Sequence, residues 1–270
     1  MAAGAAARLK ARRVATAPRE DGSAVARALA MLAHVAHADG GVTLTDLSEA
    51  LALPKATVHR IVAALERQGM LLREPGGKRY SMGHRFIAVA TDALAHSASR
   101  GARHAILQSL VDDIGETCNI TMMDGANVLY VDRVEAQWPL RLHLQPGSRV
   151  PLHCTASGKL FLSHLRAAAR KRLITALPLE RHTPNTITER PELERALQRI
   201  RQSKVGTDNE EFLAGLVAVA VPIIGPGKSV SAAIAVHGPT ARLSLDLALS
   251  HVPKLQAAAE RLAAVMFAGL

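Results

Sequence analysis

Residues 44–82, LTDLSEALALPKATVHRIVAALERQGMLLREPGGKRYSM, read as two short helices joined by a tight turn and followed by a two-stranded wing. Thr45 is placed to cap a first helix over Thr45–Ala52. Leu51–Pro54 forms the break, and Pro54 suits the first turn of a second helix that runs to about Gln68, where Gly69 stops it. Val58, Ile61, Val62 and Leu65 recur at helical spacing and define one buried face. Lys55, Ala56, His59, Arg60, Ala63 and Arg67 fall largely on the other side, which is slim at its start and cationic further along. A slim face lets a helix enter the DNA major groove, where polar side chains reach base edges. On this reading Thr57, His59 and Arg60 contact bases. Lys55, Lys78 and Arg79 hold phosphates, the last two from a wing built by Met70–Arg73 and Lys78–Met82 around Glu74-Pro75-Gly76-Gly77.

The rest of the chain fits that centre. Its 270 residues suffice for two domains, and 49% hydrophobic content supports buried cores. No apolar run is long enough for a membrane span, and residues 1–22 lack the apolar stretch of a signal peptide. Their Ala- and Arg-rich, acid-poor composition resembles a transit peptide, but beside a DNA-binding domain a flexible basic arm is the better reading. Cys118 and Cys154 are far apart with no C-x-x-C spacing, which gives no case for a disulfide framework or zinc cluster and fits a reducing cytoplasm. The net charge of +10 is unevenly spread. Residues 1–19 carry five basic groups and no acid, whereas residues 20–82 are balanced. Within 55–79, however, six basic groups face only Glu66 and Glu74, a local excess where phosphates would be neutralised.

Along the chain, Ser23–His37 reads as a first helix with Val25, Leu29, Leu32 and Ala36 on one face, ended by Asp39-Gly40-Gly41. Val42–Leu44 is a candidate strand against the wing. His84–Arg100 reads as a linker helix with Phe86, Ala90, Ala93 and Ser97 along a stripe, suited either to a dimer seam or to packing on its own chain. Beyond it come a helix over Ala102–Ile114, a hairpin of Thr117–Met123 and Asn127–Val134, and a strand over Leu140–Gln145. Helices follow over Thr155–Leu165, Ala167–Ala176 and Pro191–Gln202. Strands Val205–Asp208, Leu216–Ile224 and Val230–His237 precede a C-terminal helix over Ser244–Phe267. That helix should turn Leu245, Leu249, Val252, Leu255, Ala259, Leu262 and Met266 inward and be kinked or split by Pro253. The expected class is α+β: a winged helix-turn-helix at 23–83, a linker helix at 84–101, and an antiparallel sheet with packed helices at 102–270.

Five motifs in order carry a resemblance to the IclR family of bacterial transcriptional regulators over about residues 23–265. They are LPKATVHRIVAALERQGML in the helix-turn-helix, GET at 115–117, GSRVPLHCTASGKLFL at 147–162, DNEEFLAGLVAVAVPI at 208–223 and HGPTARLS at 237–244. The resemblance implies a C-terminal GAF-like effector domain and a homodimer or homotetramer on double-stranded DNA bearing a pseudo-palindromic operator. It also implies a response to a small metabolite, often an organic or aromatic acid. By motif match the effector residues would be Ala156, Ser157, Asp208, Leu216, Ala218, Ala235 and His237. The N–H groups opening the helix near Thr155 would suit a carboxylate, and Leu216, Ala218 and Ala235 would form an apolar wall. Ala218 stands where many members have Cys, and His237 where a small polar residue is frequent. His237 would pair with an acidic effector or bond to backbone.

The alternative reading is a small-molecule enzyme fused to a DNA-binding module. Ser157 and Lys159 supply no clear base or oxyanion hole, and adjacent Glu210 and Glu211 on a strand would face opposite sides. CTASGK lacks the glycine that opens a phosphate loop. His153 beside Cys154 lacks a third and fourth ligand at fixed spacing, which points to a buried Cys and a partly exposed His. No catalytic residue, cofactor or metal site is therefore expected.

Overall fold

The computed structural model describes residues 23–38, 41–74, 77–95, 99–138 and 144–268. The arm at 1–22, the helix stop at Asp39-Gly40, the wing tip at Pro75-Gly76, Ser97 of the linker stripe and most of the strand expected at 140–145 lie outside them.

In the N-terminal part, α1 (Ala24–Ala36), α2 (Leu44–Leu51) and α3 (Lys55–Arg67) close over a core of Met31, Leu32, Val35, Leu47, Val58, Ile61 and Val62. Strands β1 (Leu71–Arg73) and β2 (Tyr80–Met82) pair antiparallel as the wing, and Val42 bridges to Tyr80. The face expected for α1 is corrected. Val25 and Leu29 are 68% and 61% exposed, and Met31, Leu32 and Val35 point inward instead. The helix is apolar nearly all round, so its periodicity alone offers two faces. The cap of α2 also moves. Thr43, not Thr45, accepts from the Asp46 N–H through Oγ1 (3.1 Å), and the Asp46 carboxylate accepts from the Thr43 N–H (2.9 Å). This reciprocal pair is a capping box. Those hydrogen bonds from Thr43 hold the Asp46 carboxyl below its ordinary range.

Helix α4 (His84–Ala95) leads to α5 (Ser99–Ile114), so Ser99 and Arg100 belong to the second helix rather than to one linker running to Arg100. The C-terminal sheet is fully antiparallel, in the order β5-β4-β3-β8-β7-β6. Its strands are β3 (Thr117–Asp124), β4 (Asn127–Val134), β5 (Arg149–Pro151), β6 (Gly206–Asn209), β7 (Leu216–Ile224) and β8 (Val230–Pro239). The edge strand β5 escaped the sequence reading. Helices α6 (Ala156–His164), α7 (Ala167–Ala176) and α8 (Arg190–Ser203) lie between β5 and β6, and α9 (Leu245–Ser250) and α10 (Val252–Met266) close the chain. The split at His251, with Pro253 in the first turn of α10, is the break that Pro253 predicted. Leu249 is exposed, however, and Ala248 takes the buried position.

Strand periodicity assigns the two faces of the sheet. Val217, Val219, Val221 and Ile223 of β7, with Ala232, Ile234 and Val236 of β8, pack in one core with α5 and α10. Alternate positions Ala218, Ala220, Ala233 and Ala235 belong to a second core under α6 and α8. Large side chains thus fill the first face, and small ones leave room on the second. Helix α6 is pressed close to β6 because Gly206 has no side chain. A Cβ there would lie 2.2 Å from the Ala156 carbonyl oxygen.

Candidate DNA interface and ligand cavity

Turn and cap chemistry position the recognition helix. Ala52 adopts a left-handed conformation (φ 51°) at the end of α2, and Ser48 Oγ donates to the Leu53 carbonyl (2.7 Å). Pro54 then starts α3 with no side-chain cap; the Thr57 N–H donates to the Pro54 carbonyl (2.9 Å), and the N–H groups of Lys55 and Ala56 stay open to an anion. Lys55, Ala56, His59 and Arg60 are exposed together on this helix, and Thr57 is half-buried. Lys78 is exposed in the wing. Arg79 departs from expectation: its Nη1 donates to the Gly41 carbonyl, tying the wing to the segment before α2. Arg73, which the sequence reading did not single out, donates through Nε to the Gly77 carbonyl (2.7 Å) and lies 5.9 Å from the Tyr80 ring centroid, stiffening the wing.

The far end of α3 is locked to α4. The Gly83 N–H donates to the Met70 carbonyl (2.8 Å), and the Arg85 N–H to the Gly69 carbonyl (3.1 Å). Arg85 Nη1 also donates to Gln68 Oε1 (2.9 Å). A Cβ on Gly83 would stand 2.1 Å from the Gly69 carbonyl oxygen, so the backbones cross in direct contact. Phe86 of the expected linker stripe packs against the N-terminal core, and Ala93 is exposed.

A cavity of about 30 Å³ lies on the small-residue face of the C-terminal sheet. Ser157, Asp208, Leu216, Ala218, Ala235 and His237 line it, as the motif match implied. Ala156 does not. It sits behind the wall, buried, with its carbonyl against Gly206. The motif match missed Asn119, Thr121 and Tyr130. Strand pairing sets these on the same face, opposite Ala235, Ala233 and each other (Asn119↔Ala235, Thr121↔Ala233, Thr121↔Tyr130). Phe212 completes the wall from the loop after β6. Asn119 Oδ1 and Thr121 Oγ1 are buried without a protein hydrogen-bond partner. Each costs about 1–3 kcal/mol if left so.

The charges around the cavity are set by burial. Asp208 Oδ1 accepts from the Glu211 N–H (2.8 Å) and the Phe212 N–H (3.3 Å). Desolvation outweighs these bonds and pushes the carboxyl up to about 7, with the Glu211 charge adding to the rise. The Tyr130 phenol is pushed up to about 12 by burial. His237 is pushed down to about 3, by burial first and the Arg133 charge second. It accepts through Nε2 from Arg133 Nη1 (3.0 Å). It is therefore a neutral imidazole backed by a cation, neither a charged partner for an acid nor a histidine held by backbone.

The remaining sequence candidates also find places. Lys159 forms a buried ion pair with Glu211 and is not aligned as a base for Ser157. Glu210 and Glu211 lie in the turn after β6 rather than on a strand; Glu210 accepts from the Gly215 N–H (2.7 Å). Both cysteines are free and buried. His153 is buried rather than partly exposed.

A winged helix-turn-helix joined by a helix to an α+β domain with a polar cavity defines a ligand-type DNA-binding regulator. Residues 24–75 match the model of the IclR helix-turn-helix domain, and residues 92–264 that of the bacterial transcriptional regulator IclR C-terminal domain. The chain belongs to the IclR family of transcriptional regulators. It is 48% identical over 240 residues to the probable transcriptional regulator SauR of Cupriavidus necator, covering 89% of this chain and 95% of that one. The Thermotoga maritima IclR structure matches with a TM-score of 0.60 at 27% identity, over 88% of this chain and 96% of that one. A double mutant of the inducer-binding domain of the PobR transcription factor from Acinetobacter, in complex with 3-hydroxybenzoic acid, matches with a TM-score of 0.56. It is 29% identical and covers 60% of this chain and 95% of that one.

Proposed function

We propose that the chain is a cytoplasmic, homo-oligomeric regulator whose operator binding responds to a small organic acid held between α6 and the C-terminal sheet. The observation that carries this reading is the pair of unpartnered buried atoms, Asn119 Oδ1 and Thr121 Oγ1, beside Asp208 in one cavity. Buried polar atoms that face a cavity and have no protein partner are available to bond a ligand there. The acid complex of the PobR domain supports the ligand class.

Residues 1–22 serve as the arm, 23–83 as the DNA-binding domain, 84–101 as the linker and 102–270 as the effector domain. Lys55, Ala56, Thr57, His59 and Arg60 meet the major groove, and Lys78 meets phosphate. Arg79 serves first to brace the wing. Ser157, Asp208, Leu216, Ala218, Ala235 and His237 contact the effector, with Asn119, Thr121 and Tyr130 added. The cavity is well below the roughly 300 Å³ at which ligand pockets begin. Effector entry therefore displaces Phe212 and the loop it belongs to. Since Asp208 lies near neutrality, a carboxylate beside it draws a proton onto it, and the protonated group donates to the ligand. Membership of a family of transcriptional regulators supports a regulatory role.

The test is anisotropy of the purified protein on DNA upstream of its own gene, titrated with salt and with a panel of organic and aromatic acids. Salt-sensitive binding to one pseudo-palindromic segment, changed by one acid, is the expected result. Binding without sequence preference and without response to any acid would refute the proposal.

A further inference from the structure

Outside the cavity, the structure brings His182 beside the sequence neighbours His153 and Cys154, gathering three metal-binding side chains. The donor atoms of His153, Cys154 and His182 all lie within 4.8 Å of one another. His153 and Cys154 come from the turn between β5 and α6, and His182 from the loop between α7 and α8. We propose that these three residues form a binding site for a transition-metal dication of the Zn²⁺ class.

The donor chemistry selects this class. One thiolate and two imidazoles suit borderline and soft ions, and the absence of oxygen donors from the triad disfavours Mg²⁺ and Ca²⁺. The ring of His153 is already oriented as metal-bound histidines are. Its Nε2 lies 2.9 Å from the Glu180 carbonyl, which accepts the ring proton and leaves Nδ1 with its lone pair free. Zn–S bonds near 2.3 Å and Zn–N bonds near 2.0–2.1 Å put tetrahedral donors roughly 3.5 Å apart, so the triad closes by about 1 Å on binding. The exposed His182 supplies that movement. Its ring rests edge-on against Phe212, with centroids 5.7 Å apart, and 5.8 Å from that of His153. It is also the solvent-facing member through which an ion reaches the buried thiol. Burial first, with the Asp208 and Glu211 carboxyls adding, pushes the Cys154 thiol up to about 12, so the thiol gives up its proton only in exchange for the metal bond. On binding, the Cys154 S–H bond breaks, its proton leaves to water, and a sulfur–metal bond forms without change of oxidation state. Three protein donors leave a fourth position for water.

The site is separate from the ligand cavity but shares its wall. Cys154 precedes Thr155 and His182 packs on Phe212, both of which line the cavity. A bound ion would tie the α7–α8 loop to the start of α6 behind that wall.

The experiment uses the full, untagged chain stripped with a chelator and titrated with Co²⁺, then with Zn²⁺ against a chromophoric chelator. The expected result is one ion per chain with a thiolate-to-cobalt charge-transfer band. Cys154→Ser abolishes the band, and His182→Asn weakens Zn²⁺ binding by at least about tenfold. His84→Asn, an exposed histidine elsewhere, leaves both unchanged. Because His182 is exposed, its variant stays informative even if Cys154→Ser fails to fold. Absence of the charge-transfer band in the wild type, or Zn²⁺ binding of equal strength in His182→Asn, overturns the proposal.

Discussion

Replacing Asp208 by asparagine removes a single buried titration while keeping the shape and the acceptor atom. The Asn oxygen can still accept from the Glu211 and Phe212 N–H groups that now hold Asp208. In the folded chain the carboxyl is raised by burial to about 7, against an ordinary value of 3.8. The folded state therefore holds this proton more tightly than the unfolded chain does. The sign follows: this contribution to stability is full below the unfolded value and is lost as pH climbs through the folded one. At about 1.36 kcal/mol for each unit of difference, the wild type should lose roughly 2–3 kcal/mol from this group between about pH 5 and about pH 8. The variant loses none of it, so its stability relative to wild type should improve by that amount across the interval. Urea unfolding followed through Trp138, the one tryptophan in the chain, reads the C-terminal domain directly. Parallel stability–pH curves for the two proteins would show that Asp208 is ionised and solvated at neutrality, and the account of the cavity's charge would fail.

Five further substitutions have outcomes set by the geometry. Arg60→Ala should cost about 1–3 kcal/mol at the operator and much less on random DNA, a contrast that competition anisotropy measures. Lys78→Ala should lower the slope of log affinity against log salt by about one, while Arg79→Ala should mainly lower the unfolding midpoint, since its guanidinium braces Gly41. Lys159→Met leaves Glu211 buried without its cation and should destabilise the C-terminal domain by about 3–5 kcal/mol in denaturant titration; a change under 1 kcal/mol would rule out a buried pair. Ala235→Leu fills the cavity at a cost of about 1–3 kcal/mol and should abolish the acid response while operator affinity stays within a factor of about two.

Much of the fold was readable because periodicity and punctuation agreed. In α3, Val58, Ile61 and Val62 define a single apolar face, and Gly69 supplies the positive φ that ends it. Where two signals competed, the reading slipped. Helix α1 offers apolar residues all round, so tertiary packing on Leu47 and Val58, rather than spacing, chose Met31 and Val35. Thr43 and Thr45 are both competent caps, and the position of Asp46 three residues after Thr43 decided between them. Strand β5 is three residues long and contains proline, too little pattern to register. The cavity divides in the same way. Six of the seven residues taken from continuous motifs line it, all but Ala156, whereas Asn119, Thr121 and Tyr130 reach it through pairing with β8 and across the hairpin. His182 lies far along the chain from Cys154, and no linear signal links them.

The contact between Gly83 and Gly69 bears on how such a chain can change its target. Main chain rests on main chain there, so the angle between α3 and α4 is set chiefly by backbone, with the Arg85–Gln68 side-chain bond beside it. The side chains that face outward from α3 play no part in that joint. They can be exchanged for a new base sequence while the angle at which the helix is presented is inherited unchanged. Address and posture are thus written in different atoms: one in replaceable side chains, the other chiefly in two residues that have none.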